Sequence, residues 1–274
     1  MPDLDVQGTR LYYETQGEGE TIAFLNGILM NAQGWVLQTR HLRRRFRCLT
    51  HDFRGQLRSG RPPGPYSLEQ HRDDFIALLD HLEIERCHLV GTSYGGEVGL
   101  RIAADCPERI TSLAVLAGTG EVEPELRRRA EDWLFVLENR PESFVREMLA
   151  EFYTPQFLEE NPGLVVAAQV SLEGCGDDFY VALRELVQSF LRLDLSDALG
   201  RIRCPTLVVG AEKDRLKPVN MSRRLAEAIP GARLEIIPKA GHAVMIEAAE
   251  AVNQLLSDWM TSTHEEAAVG ISAS

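Results

Sequence analysis

One serine in this chain stands between two glycines at one-residue spacing, in Gly91-Thr92-Ser93-Tyr94-Gly95. The run follows the apolar stretch CHLV and opens into an apolar-periodic one, GGEVGLRIAA. A serine on a sharp strand-to-helix turn is lifted above a sheet edge, and its flanks must be very small for the chain to cross itself. The same turn aims backbone N–H groups at the helix start toward negative charge on a substrate. A serine hydroxyl becomes a useful nucleophile only beside a base, and the base needs an acid to orient it. Two later runs supply candidates. TLVVGAEKD delivers Asp214 just past a strand, and RLEIIPKAGHAVMIE delivers His242 in a glycine-led loop after another. Of the seven histidines, His242 alone follows a strand in the C-terminal part. Glu121, after the apolar run 112–118, stays open as an alternative acid. Without such partners the motif would be a glycine-rich turn and His242 a surface-loop histidine.

Attack on a carbonyl also needs donors for the oxygen that becomes negative. The amide of Tyr94, directly after the serine, is one candidate. The other is the amide of Ile28 in Asn26-Gly27-Ile28-Leu29, where Gly27 lets the backbone approach closely.

These residues need a scaffold that gathers strand ends. The runs 21–26, 46–52, 87–91, 112–118, 206–212 and 233–238 are β-rich, and several are near-continuously apolar, as strands covered on both faces are. LYYET (11–15) suits a hairpin with the residues before Gly8. Between the strands, 67–84 carries Phe75, Leu78, Leu79 and Leu82 at helical spacing, with Ser67 and Gln70 as a capping box. Strand alternating with helix implies a mostly parallel sheet with helices on both faces, and such sheets bind ligands at the carboxyl ends of their strands.

The alternation stops at 123–195, which reads as helices only, punctuated by Pro141, Pro155 and Pro162. This divides the chain into a core of 1–122 and 196–262, a helical cap insertion at 123–195, and a disordered tail at 263–274. Whether the insertion closes over the strand ends as a lid or merely thickens the core is open at this level.

The composition narrows the function. Over 274 residues the net charge is −12, with 44% hydrophobic and 26% charged residues. That suits a soluble globular protein and disfavours broad binding to nucleic acid or anionic membrane. No run approaches the roughly 20 apolar residues of a membrane span, and no secretory signal is visible at Met1-Pro2-Asp3. The five cysteines are scattered, with no C-x-x-C pair, as expected for reduced thiols in the cytoplasm. Neither H-E-x-x-H nor G-x-x-x-x-G-K-[ST] occurs, so no metal and no other cofactor is expected. Nothing in the sequence sets the oligomeric state.

With GTSYGG, CPTLVVGAEKD, the AGH loop ending at His242 with Glu247 beyond it, and HDFRGQLRSG (51–60), the sequence resembles the α/β-hydrolase superfamily up to about residue 260. It is most similar to the small capped esterase, lactonase and carbon–carbon hydrolase branch, enol-lactonase-like members included. The resemblance implies an eight-stranded, mostly parallel sheet flanked by helices. It also implies the chain order nucleophile, acid, histidine, which selects Ser93, Asp214 and His242. Two positions depart from the pattern: Asn26 stands where many relatives have histidine, and Leu57 replaces the second glycine of the D-x-R-G block. The implied activity is hydrolysis of a small carboxylic ester or lactone through an acyl-serine. A receptor that retains the triad, and a carbon–carbon hydrolase or lyase on the same fold, are the alternatives.

Overall fold

The computed structural model describes residues 3–164, 166–167 and 175–272, with the backbone alone after Thr263. Eight strands form one sheet: β1 (Asp3–Val6), β2 (Thr9–Gln16), β3 (Thr21–Leu25), β4 (Arg47–His51), β5 (Cys87–Thr92), β6 (Ile110–Leu116), β7 (Thr206–Ala211) and β8 (Arg233–Ile237). Their spatial order is β1-β2-β4-β3-β5-β6-β7-β8. β1 and β2 form the antiparallel hairpin expected around Gly8, β2 pairs antiparallel with β4, and every later pairing is parallel. The expected α/β architecture is the one observed.

Alternation along each strand builds two apolar layers. In β3, Ala23 and Leu25 join one layer with Leu89, Val98 and Leu113, while Ile22 and Phe24 join the other with Val90, Leu116 and Val209. Helices cover both faces: α1 (Val36–Leu42), α2 (Leu68–His81) and α3 (Tyr94–Asp105) precede β6. At the start of α2 the Ser67 hydroxyl accepts from the Gln70 amide at 3.2 Å, the capping contact that the sequence suggests.

Between β6 and β7 lie only helices among the described residues: α4 (Pro124–Asn139), α5 (Pro141–Phe152), α6 (Pro155–Glu160), α7 (Asp177–Leu191) and the short α8 (Ser196–Leu199). The prolines begin helices here, where their missing N–H costs nothing. Arg61 to Asp178 at 2.8 Å, and Arg192 to the Tyr66 carbonyl at 2.8 Å, tie α7 and the residue after it to the loop after β4. Past β7 come α9 (Val219–Ala228), then after β8 α10 (Val244–Glu247) and α11 (Ala249–Ser272). The closing helix thus runs through the stretch read from sequence as a tail at 263–274, and only Ala273 and Ser274 of that stretch fall outside the description. Glu265-Glu266-Ala267-Ala268 are good helix formers, which the small, polar look of the segment obscures.

Behind the Ser93 turn, two histidines are buried with no hydrogen-bond partner on either ring nitrogen among the described residues. His51 packs against Phe53 and Phe75, and His71 against Phe53 and Tyr94. Burial pushes His51 down to about 4. Burial, then Arg54 and His51, push His71 down to about 3. An unfolded histidine titrates near ~6.5, so below that pH the unfolded chain binds protons that the folded one refuses. Stability should therefore fall as pH drops from 6.5, by about 4 kcal/mol for the two together at pH 5. Asp52 and Asp74, whose carboxyls burial raises, act in the opposite direction as the pH falls. Denaturant unfolding at pH 7 and pH 5 measures the loss. A variant with His51→Leu and His71→Leu should show a flatter dependence, and an equal slope in both proteins would refute this account.

Candidate active site

Ser93 links β5 to α3 with φ 50° and ψ −123°, a left-handed conformation strained for any side chain. The flanking glycines show why the strain is held. A Cβ on Gly91 would lie 2.4 Å from the Gly95 carbonyl oxygen, and one on Gly95 only 2.1 Å from that of Leu25. The turn therefore exists only with glycine at both positions. It is fastened by the Ser93 amide donating to Leu116 O at 2.8 Å and the Gly96 amide donating to Ser93 O at 2.8 Å.

Asp214 follows β7. Its Oδ1 accepts from the amides of Leu216 and Lys217 at 2.9 and 2.8 Å, which curls the loop and fixes the carboxylate. Its Oδ2 lies 2.8 Å from Nδ1 of His242, and both residues are buried. The His242 loop is fixed from the other side by Glu247, which accepts from the Gly241 amide at 3.1 Å and from the Thr154 amide at 2.8 Å. The Ala243 amide donates to Phe152 O at 2.9 Å, and the Phe152 ring lies 5.4 Å from the His242 ring. The end of α5 thus packs directly on the histidine. His242 Nε2 is buried with no hydrogen-bond partner among the described residues. The Ser93 hydroxyl accepts instead from Lys217 Nζ at 3.3 Å.

Gly27 and Ile28 follow β3, and a Cβ on Gly27 would stand 3.7 Å from Cβ of Ser93, so this loop runs beside the serine. Tyr94 opens α3, placing its amide at that helix's N-terminus on the serine side. Asn26 explains its own departure from the family pattern. Its Nδ2 donates to His51 O at 2.8 Å and to Gln56 Oε1 at 3.0 Å, and its Oδ1 accepts from Trp35 Nε1 at 2.9 Å. Gln56 in turn donates to Gly27 O at 2.8 Å. An amide, donor and acceptor at once, ties the β3 end to the loop after β4 and holds the backbone that carries Ile28. Asp52 supports it by accepting from the Ala32 amide at 2.6 Å. Leu57 lines the cavity beside Ile28. Glu121 is exposed and pairs through its backbone with Asp194, with no bond to His242.

Ser93, Ile28, Lys217 and His242 share the wall of one cavity of about 240 Å³. The rest of its wall is largely apolar and comes substantially from the helices between β6 and β7: Trp133, Phe144, Met148, Phe152 and Phe190. Phe157 and Phe179 pack elsewhere, Phe157 on Tyr153 and Phe179 on Tyr180.

Sequence reading missed Glu97 and Lys217. Glu97 sits on α3 fully buried, accepts from the Thr119 amide at 3.1 Å, and is paired with the equally buried Lys217. Burial holds the Glu97 carboxyl above its usual range, and the Lys217 ammonium offsets that only in part. A lone glutamate amid the apolar GGEVGLRIAA run is the signal that could have found the pair. Among the described residues, no group of three or more His, Cys, Asp or Glu could hold a metal ion, and no helix is long and apolar enough to cross a membrane.

A strained serine at a strand-to-helix turn, at the carboxyl edge of a mostly parallel sheet, defines the class. Residues 22–255 match the model of the alpha/beta hydrolase family, and the chain belongs to that family. It is 32% identical to RutD of Caulobacter sp. (strain K31), itself a proposed carbamate hydrolase, over 92% of this chain and 96% of that protein. It is 28% identical to 3-oxoadipate enol-lactonase 2 of Acinetobacter baylyi, over 91% and 92%. The crystal structure of the enol-lactonase from Burkholderia xenovorans LB400 superposes with a TM-score of 0.86 at 27% identity, covering 95% of this chain and 100% of that one.

Proposed function

We propose that this protein is a serine hydrolase that cleaves a small, uncharged carboxylic ester or lactone through an acyl-enzyme on Ser93. The observation that carries the reading is the strained Ser93 turn beside a buried Asp214–His242 pair at 2.8 Å, under an apolar cavity. Enol-lactonase and RutD relatives support hydrolysis at a carbonyl flanked by a heteroatom.

In this reaction Ser93 Oγ attacks the carbonyl carbon while its proton passes to His242 Nε2, and Asp214 stabilises the imidazolium. The carbonyl oxygen, now negative, is received by the amides of Tyr94 and Ile28. Removing one such donor commonly costs about 10²–10³-fold in rate. The C–O bond of the leaving alcohol then breaks, and His242 returns the proton to that oxygen. In a lactone the alcohol remains tethered to the acyl group. Water, deprotonated by His242, next attacks the acyl carbon, and Oγ departs with the proton.

The helices α4, α5 and α7 act here as a cap: Trp133, Phe144 and Phe190 exclude water and set the size of acyl group accepted. A carbamate would enter the same chemistry through its own carbonyl, which the RutD likeness favours as the second reading.

A fluorophosphonate should label the wild-type protein once, on the peptide holding Ser93, and fail on Ser93→Ala. A parallel panel of short-chain esters, lactones and carbamates should turn over steadily with the wild type and show no turnover above background with the variant. Labelling without steady turnover would favour a triad-retaining receptor. Equal turnover by Ser93→Ala would end the serine reading.

A further inference from the structure

Lys217 and Glu97 form a fully buried ion pair against the nucleophile, and the triad does not account for it. Lys217 Nζ is bonded to Glu97 Oε1, lies 3.3 Å from Ser93 Oγ, and sits 5.1 Å from the centre of the Phe190 ring in α7. Both side chains are essentially without solvent contact. Burying two charges is expensive, and an apolar pair of the same volume is often at least as stable. The position of the pair is therefore better explained by what it does to Ser93 than by stability.

Lys217 could in principle receive an anionic group of the substrate. Its pairing argues against that, because Glu97 already neutralises it and a second carboxylate would meet both charges. What the ammonium reaches directly is the oxygen that reacts.

We infer that Lys217 is a catalytic residue that donates to Ser93 Oγ, and that Glu97 is the positioning residue that holds it there; this rests on the acyl-serine reading above. With one lone pair of Oγ directed at Lys217, the hydroxyl proton is left for His242 Nε2. As the Oγ–carbon bond forms and the proton leaves for His242, the ammonium stabilises the negative charge that Oγ carries in transit. When water has added to the acyl carbon and the Oγ–carbon bond breaks, the same charge returns to Oγ before His242 restores its proton. The one donor therefore serves both half-reactions, unlike a residue that merely shapes the acyl pocket.

The test is a burst experiment with a neutral p-nitrophenyl ester, alongside fluorophosphonate labelling, on wild type, Lys217→Met, Glu97→Gln and the double variant. Lys217→Met should slow acylation, deacylation and labelling by a similar factor, about 10–100-fold, with KM changed less than threefold. Glu97→Gln should lose less than Lys217→Met, since the donor remains. The double variant should be no slower than Lys217→Met, because Glu97 acts only through Lys217. If Lys217→Met leaves Glu97 unpaired and does not fold, the double variant removes both charges as a unit and carries the same expectation. Rates within threefold of wild type, or a loss confined to KM, would overturn the role of Lys217 while leaving Ser93 labelling intact. Absence of labelling on the wild-type serine would overturn both readings at once.

Discussion

Asp214→Asn is expected to lower kcat for a short-chain ester by about 10⁴-fold while leaving the protein folded. The size follows from how the carboxylate is held. Its Oδ1 is committed to the Leu216 and Lys217 amides, and its Oδ2 to His242 Nδ1. In the asparagine variant the side-chain oxygen keeps the two backbone amides, because an NH₂ group there would face two donors. The NH₂ must then point at His242 Nδ1. A donor facing Nδ1 forces that nitrogen to accept, so the imidazole carries its proton on Nε2. In that tautomer Nε2 has no lone pair for the Ser93 proton, and the base is lost although every atom is nearly in place. Steady-state kinetics on Asp214→Asn, with unfolding monitored by circular dichroism, checks this. Glu121→Gln should change kcat less than twofold, since Glu121 is exposed and not bonded to His242. A retained rate in Asp214→Asn, with loss in Glu121→Gln, would assign the orienting acid to the earlier strand.

Much of this arrangement is legible in the sequence because it is local. Gly91, Ser93 and Gly95 lie on one turn, and the flanking apolar runs have clear periods, so a serine at a strand end can be read directly. Asp214 and His242 are each set just past a strand, and a parallel sheet gathers strand ends whatever their separation in sequence. What could not be read depends on how a loop curls. Lys217 is 124 positions from Ser93 and reaches it only because Asp214 draws the Leu216 and Lys217 amides back around its own carboxylate. Asn26 reads as a departure from a family pattern, yet its side-chain hydrogen bonds reach His51 at the end of β4, Asp52 and Gln56 in the loop after it, and Trp35 just before α1. Pair identities of this kind need coordinates. The last turns of the closing helix are hard to read for a different reason: their sequence carries no clear apolar stripe, so periodicity has little to detect.

Among the described glycines, Gly95→Ala should be one of the most damaging alanine substitutions. A Cβ there would sit 2.1 Å from the Leu25 carbonyl oxygen, 2.4 Å from its carbon and 2.6 Å from Asn26 O. All three are backbone atoms of the β3 end, in the middle of the sheet and locked to β4 and β5. No rotamer change can relieve such a contact, so α3 or β3 must move bodily, and overpacking of that kind costs about 3 kcal/mol or more. For a domain of this size that corresponds to a fall in Tm of roughly 6–12 °C. The movement also separates the Ser93 turn from the Gly27–Ile28 loop, and a displacement of about 1 Å can cost about 10²-fold in rate. Fluorophosphonate labelling of whatever protein stays folded should therefore drop by about that factor. Gly34→Ala is the matched control. Its Cβ would meet only the flexible tip of Met30, with Cε at 2.9 Å, which can swing aside. Calorimetry on the two variants should show a large loss for Gly95→Ala and a shift of no more than about 3 °C for Gly34→Ala. Equal shifts would mean that the β3 end and α3 yield to one another, and that the turn is not the rigid platform on which Ser93, Tyr94 and Ile28 are set against a common substrate atom.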